Sequence, residues 1–234
     1  MPQPEIESVP LLTTLIYSLF ALDRTLADLA AQHAALMFAA LFVVIFAETG
    51  LVVFPLLPGD SLLFVSGTVV ASSGIDIHLL VITLFVAAVL GDSLNYSVGR
   101  FIGPKAFNRP QETRLARWLK PEYLKQTHRF YEKYGGFTII IGRFVPVVRT
   151  FAPFLAGVGA MTYRKFLFYN LIGAAAWVAS LAYAGYLFGN IPWVKDNLAW
   201  IVVGIVLVSL LPMAAQFRRE RRARAARRDD EARR

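Results

Sequence analysis

Four ionisable side chains interrupt stretches that are otherwise apolar enough for a lipid bilayer. Glu48 and Asp60 lie within AALMFAALFVVIFAETGLVVFPLLPGDSLLFVSGTVV, and Arg143 and Arg149 within FTIIIGRFVPVVRTFAPFLAGVG. An ionised side chain in hydrocarbon costs at least about 2.5–3.5 kcal/mol, so such groups turn toward protein or a water-filled cavity. Each pair also shares its segment with prolines, which break helices. Charge and broken helix together predict a polar site buried at membrane depth. That site is the first candidate for function.

Hydrophobic residues make up 56% of the chain and charged residues 17%, a balance that points to an integral membrane protein rather than a soluble fold. Phe166–Gly189 and Leu198–Phe217 contain no charged residue, and each has the roughly 20 residues needed to cross about 30 Å of hydrocarbon. Ile77–Gly103 is a third span, less clean because its second half carries Asp92, Asn95 and Arg100. The N-terminal MPQPEIESVP has acids where a secretory signal has Lys or Arg, so no cleaved signal is expected. The absence of cysteine excludes disulfides and thiolate metal sites.

The net charge of +8 is concentrated in two segments: 100–133, with nine Lys/Arg against three Glu, and 218–234, with nine Arg against four acids. The positive-inside rule makes both cytoplasmic. Neither interleaves aromatics with its charges, so contact with anionic lipid headgroups is expected and nucleic-acid binding is not. Between two cytoplasmic anchors the chain crosses an even number of times. Leu198–Phe217 and Phe166–Gly189 supply two crossings, so the proline-broken segment before them enters and leaves by the cytoplasmic face. By the same logic the stretch containing Pro55, Pro58 and Gly59 opens to the outside, because Ile77–Gly103 must run inward.

The expected fold is therefore all-α, with transmembrane helices and two oppositely inserted re-entrant helical hairpins forming an inverted repeat. The repeat is supported by Gly99/Gly103 and Gly185/Gly189, four apart in each following helix. Residues 1–33 form an interfacial amphipathic segment, and 34–217 the membrane domain. That domain holds hairpins at 44–73 and 137–159 and the basic loop at 100–133. Residues 218–234 form an Arg-rich cytoplasmic tail. Pro121–Tyr134 reads as a second interfacial helix. Whether 34–47 crosses fully or forms the first hairpin arm is open.

Three motifs carry a resemblance: FAETGLVVFPLLPGDSLLFVSG at 46–67, GDSLNYSVGRFIG at 91–103 and GRFVPVVRTFAPFLAGVGAM at 142–161. In these the chain resembles the DedA family of bacterial inner-membrane proteins, part of the wider VTT (SNARE-associated) group. The resemblance spans roughly 34–190 and maps the family's functional acids onto Glu48 and Asp60 and its functional arginines onto Arg143 and Arg149. It implies return of undecaprenyl phosphate between leaflets, dependence on proton-motive force, and, through eukaryotic relatives, phospholipid scrambling.

Arginine keeps its charge almost anywhere and offers bidentate donors to phosphate, so Arg143 and Arg149 are the candidate lipid-phosphate ligands. On one continuous helix they would point apart; a break at Pro146 lets them converge. The plain alternative is that they only neutralise Glu48 and Asp60. Those acids are candidates for proton coupling, and Asp60, after Pro-Gly, is equally a helix cap. Asp92, Asn95, Tyr96 and Arg100 form a polar stripe expected to support the hairpins. Trp177, Trp193 and Trp200 read as interfacial anchors or packing residues. His33, His78 and His128 are far apart and make no metal or catalytic group, and no nucleotide loop or nucleophile turn occurs. No cofactor, metal or enzymatic step is expected. The leading function is a flippase for a lipid phosphate. The rivals are a proton- or cation-coupled transporter of a small solute, a less specific scramblase, and a membrane scaffold acting through its tail. Nothing in the sequence opposes a homo-oligomer.

Overall fold

A computed structural model describes residues 26–30, 32–51, 59–108 and 136–197, with 200, 201 and 204 beyond them. Seven helices lie in this part: α1 Ala34–Gly50, α2 Gly59–Ser73, α3 Ile77–Asn108, α4 Phe137–Gly142, α5 Pro146–Val158, α6 Tyr163–Phe188 and α7 Pro192–Asp196. A further helical run at 26–30 precedes α1, with Leu26 and Ala30 in the core. The expectations for 1–25, Pro121–Tyr134, most of Leu198–Phe217, the tail after 217, and Pro55 and Pro58 fall outside the described residues.

The described chain is all helical, and its polarity is inside out. Leu79, Ile82, Val86, Leu90, Leu94, Val98 and Phe101 are exposed along one face of α3, spaced three or four apart. Phe168, Leu171, Ile172, Leu187 and Phe188 are exposed on α6. In water such continuous apolar faces would drive association. Meanwhile Glu48, Asp92, Asn95, Arg143, Arg149 and Asn170 are each 5% exposed or less. A lipid-facing exterior around an ionic interior is the arrangement that hydrocarbon solvent demands. The apolar parts of α3 (Ile77–Ile102) and α6 have 26 residues each, or roughly 39 Å at 1.5 Å per residue, enough to cross a bilayer.

Helix boundaries follow local chemistry. Gly74 has φ +71°, and the Asp76 carboxylate accepts the His78 N–H at 2.7 Å, satisfying a donor at the start of α3. Val145 is extended (φ −118°, ψ 110°) and Pro146 opens α5, where its missing N–H costs nothing. No breaker occurs between Ala34 and Gly50, and α1 runs unbroken over these 17 residues. Its end at Leu51, which is extended, leaves the last carbonyls to find partners outside the helix.

The two halves repeat each other through exchanged contacts. Within each half the first short helix packs on its own long helix, α1 on α3 and α4 on α6. The second short helix crosses over, so that α2 lies on α6 and α5 on α3. The crossings are made by glycine. A Cβ on Gly67 would fall 2.2 Å from the Ala182 carbonyl oxygen, and one on Gly157 2.1 Å from that of Tyr96. In return, Gly185 meets the Phe64 carbonyl and Gly99 that of Phe154. In all four helices the touching carbonyl lies three residues before the glycine. Backbones this close admit no side chain between them, the usual basis of small-residue contacts in membranes.

Candidate functional site

These exchanged contacts bring the end of α1, the start of α2 and the start of α5 to the middle regions of α3 and α6. Arg149 sits one turn inside α5, its N–H bonded to the Val145 carbonyl at 2.8 Å. Its Nη1 donates to Asp60 Oδ1 at 2.7 Å and its Nη2 to Glu48 Oε1, tying three elements together. Glu48 lies in the last turn of α1, where a carboxylate opposes the helix dipole. Arg149 and the Gly59 N–H, 3.2 Å from Glu48 Oε1, offset that penalty. A Cβ at 59 would fall 1.9 Å from Glu48 Oε2, so a side chain there would displace the carboxylate from this place. Asp60 occupies the first turn of α2, a position the dipole favours for an acid, and its Oδ1 also accepts the Trp177 indole N–H at 2.9 Å.

Arg143, in the turn between α4 and α5, is paired differently. Its Nη2 contacts the Asp92 carboxylate of α3 and donates to Asn170 Oδ1 of α6 at 2.6 Å. Its Nε and Nη1 have no hydrogen-bond acceptor among the described residues, although the side chain is 3% exposed. The two guanidiniums meet at Trp177, with Cζ atoms 5.8 Å (Arg143) and 4.6 Å (Arg149) from the ring centroid. Both distances suit a cation over an indole face. The break at Pro146 thus does bring the arginines to one place, each with its own counter-ions.

Of the polar stripe on α3, Asp92, Asn95 and Tyr96 are buried and Arg100 is exposed. Asn95 Nδ2 donates to the carbonyls of Thr49 (3.1 Å) and Thr150 (2.8 Å), so one amide holds the end of α1 and the start of α5 to α3. Tyr96 Oη donates to the Met161 carbonyl beyond α5. Asp92 touches Arg143 directly, a closer involvement than a supporting stripe suggests.

Trp177, read as an interfacial anchor or a packing residue, is a buried packing residue (1% exposed) whose ring also lies within 5.8 Å of both guanidinium carbons. Asn170, also fully buried, was not singled out. A signal existed: it is the one amide in an uncharged span, seven residues before Trp177 and hence on the same helix face. Trp193, by contrast, is 67% exposed. No group of three or more His, Cys, Asp or Glu able to hold a metal occurs among the described residues.

The VTT domain family matches residues 57–187, a stretch that includes α2, α3, α4, α5 and nearly all of α6. The chain is similar to Protein DedA of Escherichia coli (strain K12), 48% identical over 213 residues, covering 90% of this chain and 95% of that protein. It is also 34% identical over 183 residues to Inner membrane protein YqjA of the same strain, covering 78% and 80%. An uncharacterized membrane protein of Mycobacterium tuberculosis (strain ATCC 25618 / H37Rv) is 44% identical over 186 residues, covering 79% and 80%. No solved structure matches.

Proposed function

The chain belongs to the DedA family of VTT-domain membrane proteins, and we propose that it is a flippase moving a lipid phosphate between the leaflets of the bacterial inner membrane. Undecaprenyl phosphate is the substrate that the family resemblance implies. The observation that carries the reading is the pair of buried guanidiniums flanking Trp177 inside a shell of lipid-facing helices. A phosphate head lying between α4–α5 and the two long helices exchanges its hydration for guanidinium donors while its tail stays in lipid. The head's charge is hidden as it crosses. No bond is made or broken in the lipid.

Charge balance supports proton coupling. With every group ionised, Glu48, Asp60 and Asp92 carry −3 against +2 from Arg143 and Arg149. A further anion in this buried place makes the imbalance worse, which a low-dielectric site tolerates poorly. Protons taken up by the carboxylates as the phosphate arrives restore the balance and tie transport to the proton gradient. In this reading the two pairs of short helices are re-entrant hairpins inserted from opposite faces. The C-terminus is cytoplasmic, and the basic segments at 100–133 and 218–234 lie against anionic headgroups.

The test is reconstitution into liposomes with labelled undecaprenyl phosphate and, as control, a labelled neutral lipid. Protein-dependent movement of the phosphate lipid, accelerated by a pH gradient, is expected. Equal rates with and without protein, under either pH condition, refute the reading.

A further inference from the structure

The two arginines are not equivalent. Arg149 has both terminal nitrogens committed to carboxylates on two different helices, and its Cζ lies 4.6 Å from the Trp177 ring centroid, a close cation–π contact. Moving it means undoing the junction of α1, α2 and α5. Arg143 has one carboxylate partner and one amide partner, both on Nη2. One hydrogen on Nε and two on Nη1 have no acceptor among the described residues. Three of a guanidinium's five donors are then unpaired in a buried position, an arrangement that normally costs about 1–3 kcal/mol or more per lost partner. An anion is the natural acceptor for such donors. The carboxylate nearest to it, Asp92, sits where it competes for the same cation.

Resting on the lipid-phosphate reading above, we propose a division of labour within the site. Arg143 is the residue that takes the phosphate group, and Asp92 is its exchangeable counter-ion, a positioning residue that holds the guanidinium until the anion displaces it. Asn170 keeps the guanidinium aimed during the exchange by retaining its bond to Nη2. Arg149, Glu48 and Asp60 form the fixed frame. The charged groups around the exchange are those on the elements packed there. They are Glu48 from α1, Asp60 from α2, Asp92 from α3, Arg143 from the turn before α5, and Arg149 from α5. The Arg143–Asp92 contact joins the turn before α5 to α3 alone, whereas Arg149 ties α5 to α1 and α2 at once. A phosphate monoester that replaces Asp92 therefore leaves the fold intact.

The full chain in lipid nanodiscs is tested for binding of farnesyl phosphate, with farnesol and inorganic phosphate as separate arms. Asp92→Asn removes the competing charge, so farnesyl phosphate should bind at least about fivefold more tightly while its movement across liposomes slows. A merely structural role for Asp92 would weaken binding instead. Arg143→Gln in the Asp92→Asn background should abolish the gain. As a second measurement on unaltered protein, labelling of Asp92 by a hydrophobic carbodiimide should rise at least about threefold when farnesyl phosphate is added. Unchanged or weaker binding by a folded Asp92→Asn protein, or unchanged labelling of Asp92, overturns the division of labour while leaving the flippase reading standing. The same gain with inorganic phosphate alone supports Asp92 as competitor and refutes a lipid substrate. Failure of the unaltered protein to bind any of the three probes overturns both.

Discussion

Adding one methyl group at Gly157 tests whether the crossed short helices set the geometry of the site. A Cβ there would lie 2.1 Å from the Tyr96 carbonyl oxygen and 2.7 Å from the Arg100 nitrogen, both backbone atoms of α3. Ordinary contact begins near 3.4 Å, so α5 must back away from α3 by about 1 Å, and overpacking of this kind costs about 1–3 kcal/mol. The same helix carries Arg149 two turns earlier, with its 2.7 Å bond to Asp60. A shift of that size takes the bond beyond hydrogen-bonding range, and a charged hydrogen bond is worth about 1.5–3 kcal/mol. Gly157→Ala should therefore lose about 2–4 kcal/mol in reversible unfolding in mixed micelles. It should also slow phosphate-lipid movement in liposomes by at least about tenfold, the equivalent of 1.4 kcal/mol. Gly67→Ala, whose Cβ would fall 2.2 Å from the Ala182 carbonyl oxygen, should behave alike because α2 carries Asp60. Gly204→Ala, with no atom within 4 Å among the described residues, should be neutral or slightly stabilising. A Gly157→Ala protein as stable and as active as the parent would refute the reasoning.

Arg149→Met should destabilise by about 3–5 kcal/mol, because it strands Glu48 and Asp60 without their cation. Adding Glu48→Gln should recover part of that loss in a double-mutant cycle, and strict additivity would count against the pairing. The double replacement Arg143→Met with Asp92→Asn should be less destabilising than Arg143→Met alone, since the single change strands the buried Asp92 carboxylate without its cation. It should nonetheless lose phosphate-lipid movement, and retained movement would remove Arg143 from the mechanism. Trp177→Phe keeps an aromatic face but deletes the 2.9 Å bond to Asp60, at a cost of about 1–3 kcal/mol. Trp177→Leu should cost more, as it also removes the platform under both guanidiniums; equal losses would mean that the ring face contributes nothing.

The composition and the order of apolar segments were enough to read an all-helical membrane protein, because hydrocarbon solvent leaves a spanning chain few other choices. The spans at Ile77–Gly103 and Phe166–Gly189 were legible for the same reason: each is an apolar run of the right length, and the structure places continuous helices there. Glu48, Asp60, Arg143 and Arg149 were conspicuous because a charge in an apolar segment is costly wherever the chain puts it. What residue order could not express was who meets whom. Asp92 lies 51 residues from Arg143 in the chain, and Asn170 lies 27 residues on the other side. Those pairings exist only because α5 crosses onto α3 while α4 stays on α6. Trp177 looked like any tryptophan of a membrane span until that exchange set it beneath two guanidiniums. Chemical cost marks a residue in the sequence, but partnership depends on long-range backbone contacts, here glycine against carbonyl, and these have no local signature.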